Sequence, residues 1–308
     1  MDSIINFTDM FASIYGESAA LFTAFCWTIT SLAFESAGKR VGSLSVNIIR
    51  LFFAIAIYIV FLGIYRGNIL PFDATAHQWI WLSLSGIAGF VIGDLFLFQA
   101  FVIIGARLSL LIMSLVPPIA AVLGRIFLNE ILDSVSILAM IITVSGIALV
   151  ILNKKKGEKL KSNIPLIGLG VAFLGAIGQA GGLVLSKYGM GDYDPFASSQ
   201  IRIFAGAVGF TVMFTIMKKW NNIAIAFKDK QALKRISLGT VFGPFLGVSF
   251  SLVAVKYIDT GIAATIMSIT PVLIIPAVIL LKKEKVSAKE AIGALIAVMG
   301  VAILFLKP

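Results

Sequence analysis

Of 308 residues, 59% are hydrophobic and 13% charged, and the mean hydropathy is +1.02. A soluble domain is about 45–50% apolar and about 25% charged, so the surplus apolar surface must face lipid. The net charge of +10 does not point to nucleic acid, because the basic residues lie in short loops between apolar runs. One cysteine, Cys26, and one histidine, His77, exclude a disulfide framework and an ordinary zinc site, and no cofactor is expected.

Residues 1–17 hold Asp2, Asp9 and Glu17 but no Lys or Arg, so they lack the positive region of a secretory signal. We expect them to form an extracytoplasmic segment before a retained first span. A spanning helix needs about 20 mostly apolar residues. Such runs fall near 18–37, 44–65, 79–101, 108–128, 134–152, 164–187, 195–217, 236–257, 261–281 and 287–306. Only Asn153–Asn163 and Lys218–Arg235 are clearly polar linkers. The first divides the chain at its middle, giving a basic cytoplasmic linker, 153–163, between two five-helix units, 18–152 and 164–308.

The units repeat one another. An offset of 154 carries Gly89, Gly93, Phe96 and Ala100 onto Gly243, Gly247, Phe250 and Ala254. Without a gap it continues from Ile112-Met113-Ser114 to Ile266-Met267-Ser268, from Pro117 to Pro271 and from Glu130 to Glu284. Earlier, Arg50 falls opposite Arg202 and Lys39 opposite Lys187, with a few extra residues in the second loop. Five spans per unit is an odd number, so the second unit enters the membrane inverted. The expected fold is an all-α integral membrane protein of ten transmembrane helices in two inverted five-helix repeats.

Loops after the odd-numbered spans hold 18 of the 25 Lys and Arg, which places that face in the cytoplasm and both termini outside it. The expected location is the plasma (inner) membrane.

Ionisable residues inside spans are costly and therefore informative. Arg50 and Asp94 both lie roughly 10 Å deep on the same side, where they can pair, and Glu35 shares that side. The three are ion-pair or coupling candidates, structural in one reading and proton-carrying in the other. Val248 replaces Asp94 in the second unit, so Arg202 lacks a partner unless Asp192 or Asp194 reaches it. A free guanidinium facing a cavity suits a carboxylate or phosphate; snorkelling to the interface is the competing reading. Gln179, aligned with Ser31, joins Trp27, Phe34 and Phe98 as a candidate for the polar and apolar cavity walls. Pro117 and Pro271, inside spans four and nine, are helix-kink candidates. The GxxxG pairs of spans three and eight point to close helix crossings. Glu130 and Glu284 are expected to cap the helix that follows each.

"SLVPPIAAVLGRIFLNE" (Ser114–Glu130) and "SITPVLIIPAVILLKKE" (Ser268–Glu284) place a proline thirteen residues before a loop-facing glutamate in each unit. The duplicated five-helix unit thereby resembles the EamA-like drug/metabolite transporter family. The resemblance implies a central cavity between the first, third and fourth helices of each unit. It also implies alternating-access movement of a small metabolite, with export of an amino acid or related carboxylate as the expectation adopted here. No HExxH, GxSxG or Walker A sequence is present, so neither an enzyme nor an ATP-driven chain is expected. An intramembrane enzyme, or a channel-like protein without a transport cycle, is the alternative. The expected partners are a small-molecule substrate and the bilayer, with no nucleic acid, in a monomer or homodimer.

Overall fold

Apolar segments in lipid have no water to satisfy their backbone groups, so they must close their hydrogen bonds internally as helices. The computed structural model describes residues 2–104, 109, 112–152, 165–270, 272–276 and 287–306, and among these no strand occurs. The helices are α1 (Asp2–Val41), α2 (Ser43–Arg66), α3 (Ala76–Gly86), α4 (Asp94–Ile104), α5 (Val116–Leu128) and α6 (Ser134–Leu152). After the linker, which lies outside the described residues, come α7 (Leu166–Met190), α8 (Pro195–Met217), α9 (Trp220–Lys228) and α10 (Lys230–Thr240). The last three are α11 (Val248–Tyr257), α12 (Thr260–Met267) and α13 (Ala288–Leu306). Seven described helical stretches are long and apolar enough to cross a membrane, and three more apolar helices are shorter. Large apolar side chains stand open around the bundle, with Ile64, Leu166 and Leu306 each more than 80% exposed. Only lipid makes that arrangement favourable.

Two helices contain a π segment, Ile87–Gly93 between α3 and α4 and Val241–Gly247 between α10 and α11. The two lie 154 residues apart, so both units carry the same distortion at the same place. Pro244 lies inside the second segment. It lacks an N–H for the upstream turn, and the Thr30 hydroxyl lies 3.4 Å from the Gly239 carbonyl there.

The halves interleave. Helix α1 lies along α10, the second π segment and α11, while α7 lies along α3, the first π segment and α4. Helix α5 packs on α12, and α6 on α13. Glycines make the closest crossings. A Cβ added at Gly182 would stand 2.9 Å from Gly89 Cα, and one at Gly178 would stand 2.9 Å from Gly93 Cα.

Helix α1 starts at Asp2 and runs through the residues expected to precede the first span. Two expectations change. Pro117 does not bend a continuous helix. The chain turns at Ser114-Leu115, and α5 restarts with proline in its first turn, where a missing N–H costs nothing. A matching turn stands at Ser268-Ile269; Pro271 itself lies outside the described residues. Finally, Trp27 rather than Ser31 is the counterpart of Gln179. Gly93 meets Gln179 and its equivalent Gly247 meets Trp27, so a constant offset of 152 carries Trp27 to Gln179 and Arg50 to Arg202.

Candidate functional site: a buried arginine pair

A π segment adds one residue to a turn and rotates the side chains after it by about 100°. In the first unit the residue that follows is Asp94, which is 8% exposed. It forms an ion pair with Arg50 of α2, also 8% exposed. Gln179 of α7 completes the group, donating from Nε2 to Asp94 Oδ1 at 2.9 Å and to Gly89 O at 3.2 Å. One amide thus holds both the carboxylate and a backbone carbonyl of the π segment. The Arg50 guanidinium lies 5.5 Å from the centroid of Phe34, a cation–π contact that offsets part of its desolvation.

The second unit repeats the backbone without the charge. Val248 follows its π segment and is buried. Arg202 of α8, 6% exposed, lies 5.2 Å from the Phe90 ring centroid. No carboxylate pairs with it among the described residues, and its Nε has no hydrogen bond. Asp194 is committed elsewhere, accepting from Ala197 N at 2.8 Å to cap α8. Asp192 offers its backbone carbonyl to Lys256 at 2.9 Å. Tyr58 is fully buried; its hydroxyl is 2.6 Å from Ser249 Oγ and 3.1 Å from Pro244 O, so it serves the second π segment as Gln179 serves the first.

Further polar atoms near the arginines in sequence lack partners. Three residues before each arginine stand Asn47 and Ser199, both buried, and neither amide atom of Asn47 is hydrogen-bonded. Burying an unsatisfied polar group costs about 1–3 kcal/mol, and among the described residues only one of the two buried guanidiniums is ion-paired. The arrangement can hold an anion. Two peripheral clefts, of about 420 and 540 Å³, include neither arginine in their linings.

Outside this centre the halves are tied at their ends. Lys187 Nζ lies 2.7 Å from Glu130 Oε1, whose Oε2 accepts from Thr260 N at 2.9 Å and Thr260 Oγ1 at 2.6 Å. Glu130 therefore caps α12 in the other unit, not the helix that follows it; Asp133 serves that helix, accepting from Ser136 N at 2.8 Å. Arg66 donates to Asp73 at 2.6 Å and lies over the Tyr193 ring, and the Tyr193 hydroxyl donates to Asp73 at 2.9 Å. Partial burial opposes ionisation of Asp73. The Tyr193 hydroxyl and the Arg66 guanidinium outweigh it and hold the carboxyl below its ordinary range.

Of the residues singled out from sequence, the structure brings Arg50, Asp94 and Gln179 into contact and sets Arg202 within electrostatic reach of Asp94. Trp27 is half-buried against Gly247. Ser31 is exposed and returns its hydroxyl to Trp27 O at 2.7 Å. The side chains of Glu35 and Phe98 lie outside the described residues. Sequence reasoning missed Phe90, Tyr58, Asn47 and Ser199. The last two had a signal: polar side chains one helical turn before an intramembrane arginine, in both units.

A bundle of apolar helices with close glycine crossings, broken spans and buried ionisable residues is built as a membrane transporter. The chain belongs to the EamA-like transporter family, whose model matches residues 14–152 and again 166–306. A solved crystal structure has the same fold, with a TM-score of 0.70 over 95% of each chain at 15% identity. Among curated proteins no sequence matches this one.

Proposed function

We propose that the chain is a secondary transporter that carries a small anionic metabolite, an amino acid or related carboxylate, across the plasma membrane by alternating access. It does so as ten spanning helices in two inverted repeats, 18–152 and 164–308, with the Lys- and Arg-rich face in the cytoplasm and both termini outside. The interleaved packing of α1 and α7 supports the inversion, because each occupies toward the opposite unit the place the other occupies in return. The turns at Ser114-Leu115 and Ser268-Ile269 interrupt spans four and nine at matching points, and broken helices are where secondary transporters bind substrate and move. No step needs a catalytic group.

The carrying observation is the uneven charge count. Arg50 and Arg202 are both buried, and Asp94 pairs with Arg50 while no carboxylate pairs with Arg202 among the described residues. The substrate's anionic group is the missing counter-charge, received by Arg202 as a bidentate fork. Trp27, Ser31 and Phe98 are the candidates for the walls of the substrate cavity. Asp94, freed from Arg50 in part of the cycle, takes up a proton and couples transport to the pH gradient.

The test is a thermal-shift screen of the purified chain with carboxylates and with their amides and esters, since a ligand that binds the folded state raises its apparent stability. The acids are expected to raise Tm and the neutral analogues are not. R202Q is expected to abolish both the shift and flux in proteoliposomes. Unchanged flux in R202Q overturns the reading, and flux indifferent to a pH gradient removes the role given to Asp94.

A further inference from the structure

The strongest unassigned feature lies on the surface, where α9 and α10 meet the bilayer edge. On α10 and the first residue of the π segment after it, Gln231, Lys234, Arg235, Leu238 and Val241 fall on a single helix stripe. They outline a cleft of about 540 Å³. The stripe changes character along its length. Its first turn is polar and basic, and its last turn is apolar, with Leu238 50% and Val241 37% exposed. The Arg235 guanidinium is held in place by the Ser36 hydroxyl of α1.

The surroundings are basic. Lys218, Lys219, Lys228 and Lys230 stand in the adjoining stretch, where Asp229 is the single acidic residue between Lys218 and Val241. That carboxylate is already engaged, by Arg40 at 2.7 Å and by the N–H groups of Ala232 at 2.9 Å and Gln231 at 3.1 Å. Helix α9 adds exposed Trp220, Ile225 and Phe227, and Trp220 donates its indole N–H to Thr215 at 3.2 Å. Aromatic and aliphatic side chains beside lysines mark the depth of lipid headgroups.

We propose that this stripe seats an anionic phospholipid, its phosphate against Lys234 and Arg235 and its acyl chain along Leu238 and Val241. A soluble phosphate would use the basic turn and leave the apolar turn idle. A soluble protein cannot reach the part of the stripe inside the hydrocarbon. In the orientation proposed above, on which this inference rests, the stripe lies on the Lys- and Arg-rich face that meets the anionic leaflet.

The experiment is native mass spectrometry of the full purified chain with equal amounts of phosphatidylglycerol and phosphatidylcholine. The wild type is expected to retain phosphatidylglycerol in preference. Each basic group near an anionic surface contributes ~1 kcal/mol, so K234Q is expected to weaken retention about fivefold. K234R should keep it, and L238N should weaken it too. Lys234 is exposed and makes no hydrogen bond among the described residues, so K234Q leaves folding intact. No preference in the wild type, an unchanged preference in K234Q, or equal retention of glycerol phosphate overturns the proposal. R202Q is expected to leave lipid retention as it is, so this site and the substrate site fail or stand separately.

Discussion

The two halves of this molecule share a backbone and differ in a charge. Both carry a seven-residue π segment, both have a buried arginine in the preceding span, and each arginine lies over a phenylalanine ring, although Arg202 stands against the first π segment, at Gly89 and Phe90, and not against the second. In the first half the segment delivers Asp94 to Arg50, with Gln179 fastening both. In the second it delivers Val248, and Arg202 keeps its charge unanswered. Backbone geometry here is set by glycines and helix crossings, which either residue satisfies. Charge at the exit of the segment is thus free to differ, and among the described residues one arginine is ion-paired and the other has no carboxylate partner.

The comparison breaks first at Asp94. D94N leaves two buried guanidiniums with no counter-charge, and removing one partner of a buried pair costs about 3–5 kcal/mol. We expect the largest fall in Tm of any single change here, with loss of monodisperse protein in size-exclusion chromatography. The mirror change sharpens the same point. V248D supplies the carboxylate that stands at the matching place in the first half. A Tm that holds or rises marks its pairing with Arg202, and the acid-induced thermal shift and flux should then disappear; a Tm that holds with acid binding intact means that Arg202 is not their site.

The shared geometry is tested at the glycine crossing. G182A places a Cβ 2.9 Å from Gly89 Cα, and overpacking of this kind costs about 1–3 kcal/mol. G181A meets nothing within 4 Å and should be neutral or slightly stabilising, because alanine loses less backbone freedom than glycine in a helix. Equal Tm values for the two variants would contradict the packing. Next in size is Y58F, which removes the hydroxyl that bonds Ser249 and the Pro244 carbonyl and should cost about 1 kcal/mol. Its counterpart at position 210 is already phenylalanine, so F210Y should bring no matching gain.

The smallest effect concerns the Arg66–Asp73–Tyr193 contact. Asp73 titrates lower in the folded protein than in the unfolded chain, so its contribution is complete above the ordinary carboxylate value of about 3.9. The contribution is lost as pH falls below that value and through the depressed one. Because Asp73 is exposed, the change should stay below about 1 kcal/mol. Thermal melts of wild type and D73N should therefore differ at pH 6 and converge in acid; curves that stay parallel would remove the contact's role.

Duplication, the apolar runs and the Arg50–Asp94 proximity were legible because they depend on residue identity at fixed spacing. The glycine pairs at Gly89 and Gly243 marked the right places but not the π turns there. A π segment is one extra residue in a helix, and nothing in the alphabet announces it. Glu130 was read as a local cap because sequence ranks neighbours by separation along the chain, whereas its partners are Lys187 and Thr260 in the other half. The same bias set Ser31 against Gln179 one turn out of place. Lysines near the ends of α1 and α7 suggested that register, and only the partners of Gly93 and Gly247 corrected it. Phe90 was invisible among 24 phenylalanines.

The cap on α12 has a consequence for how the molecule is made. When the first half has entered the membrane, Glu130 is a carboxylate awaiting a lysine and a helix start that the ribosome has not yet delivered. Helix α1 likewise waits for α10 and α11. Neither half is a finished module on its own, so the first five helices must idle in the bilayer, half-dressed in polar groups, until their complement arrives. Expressed apart, the halves should survive only when produced together.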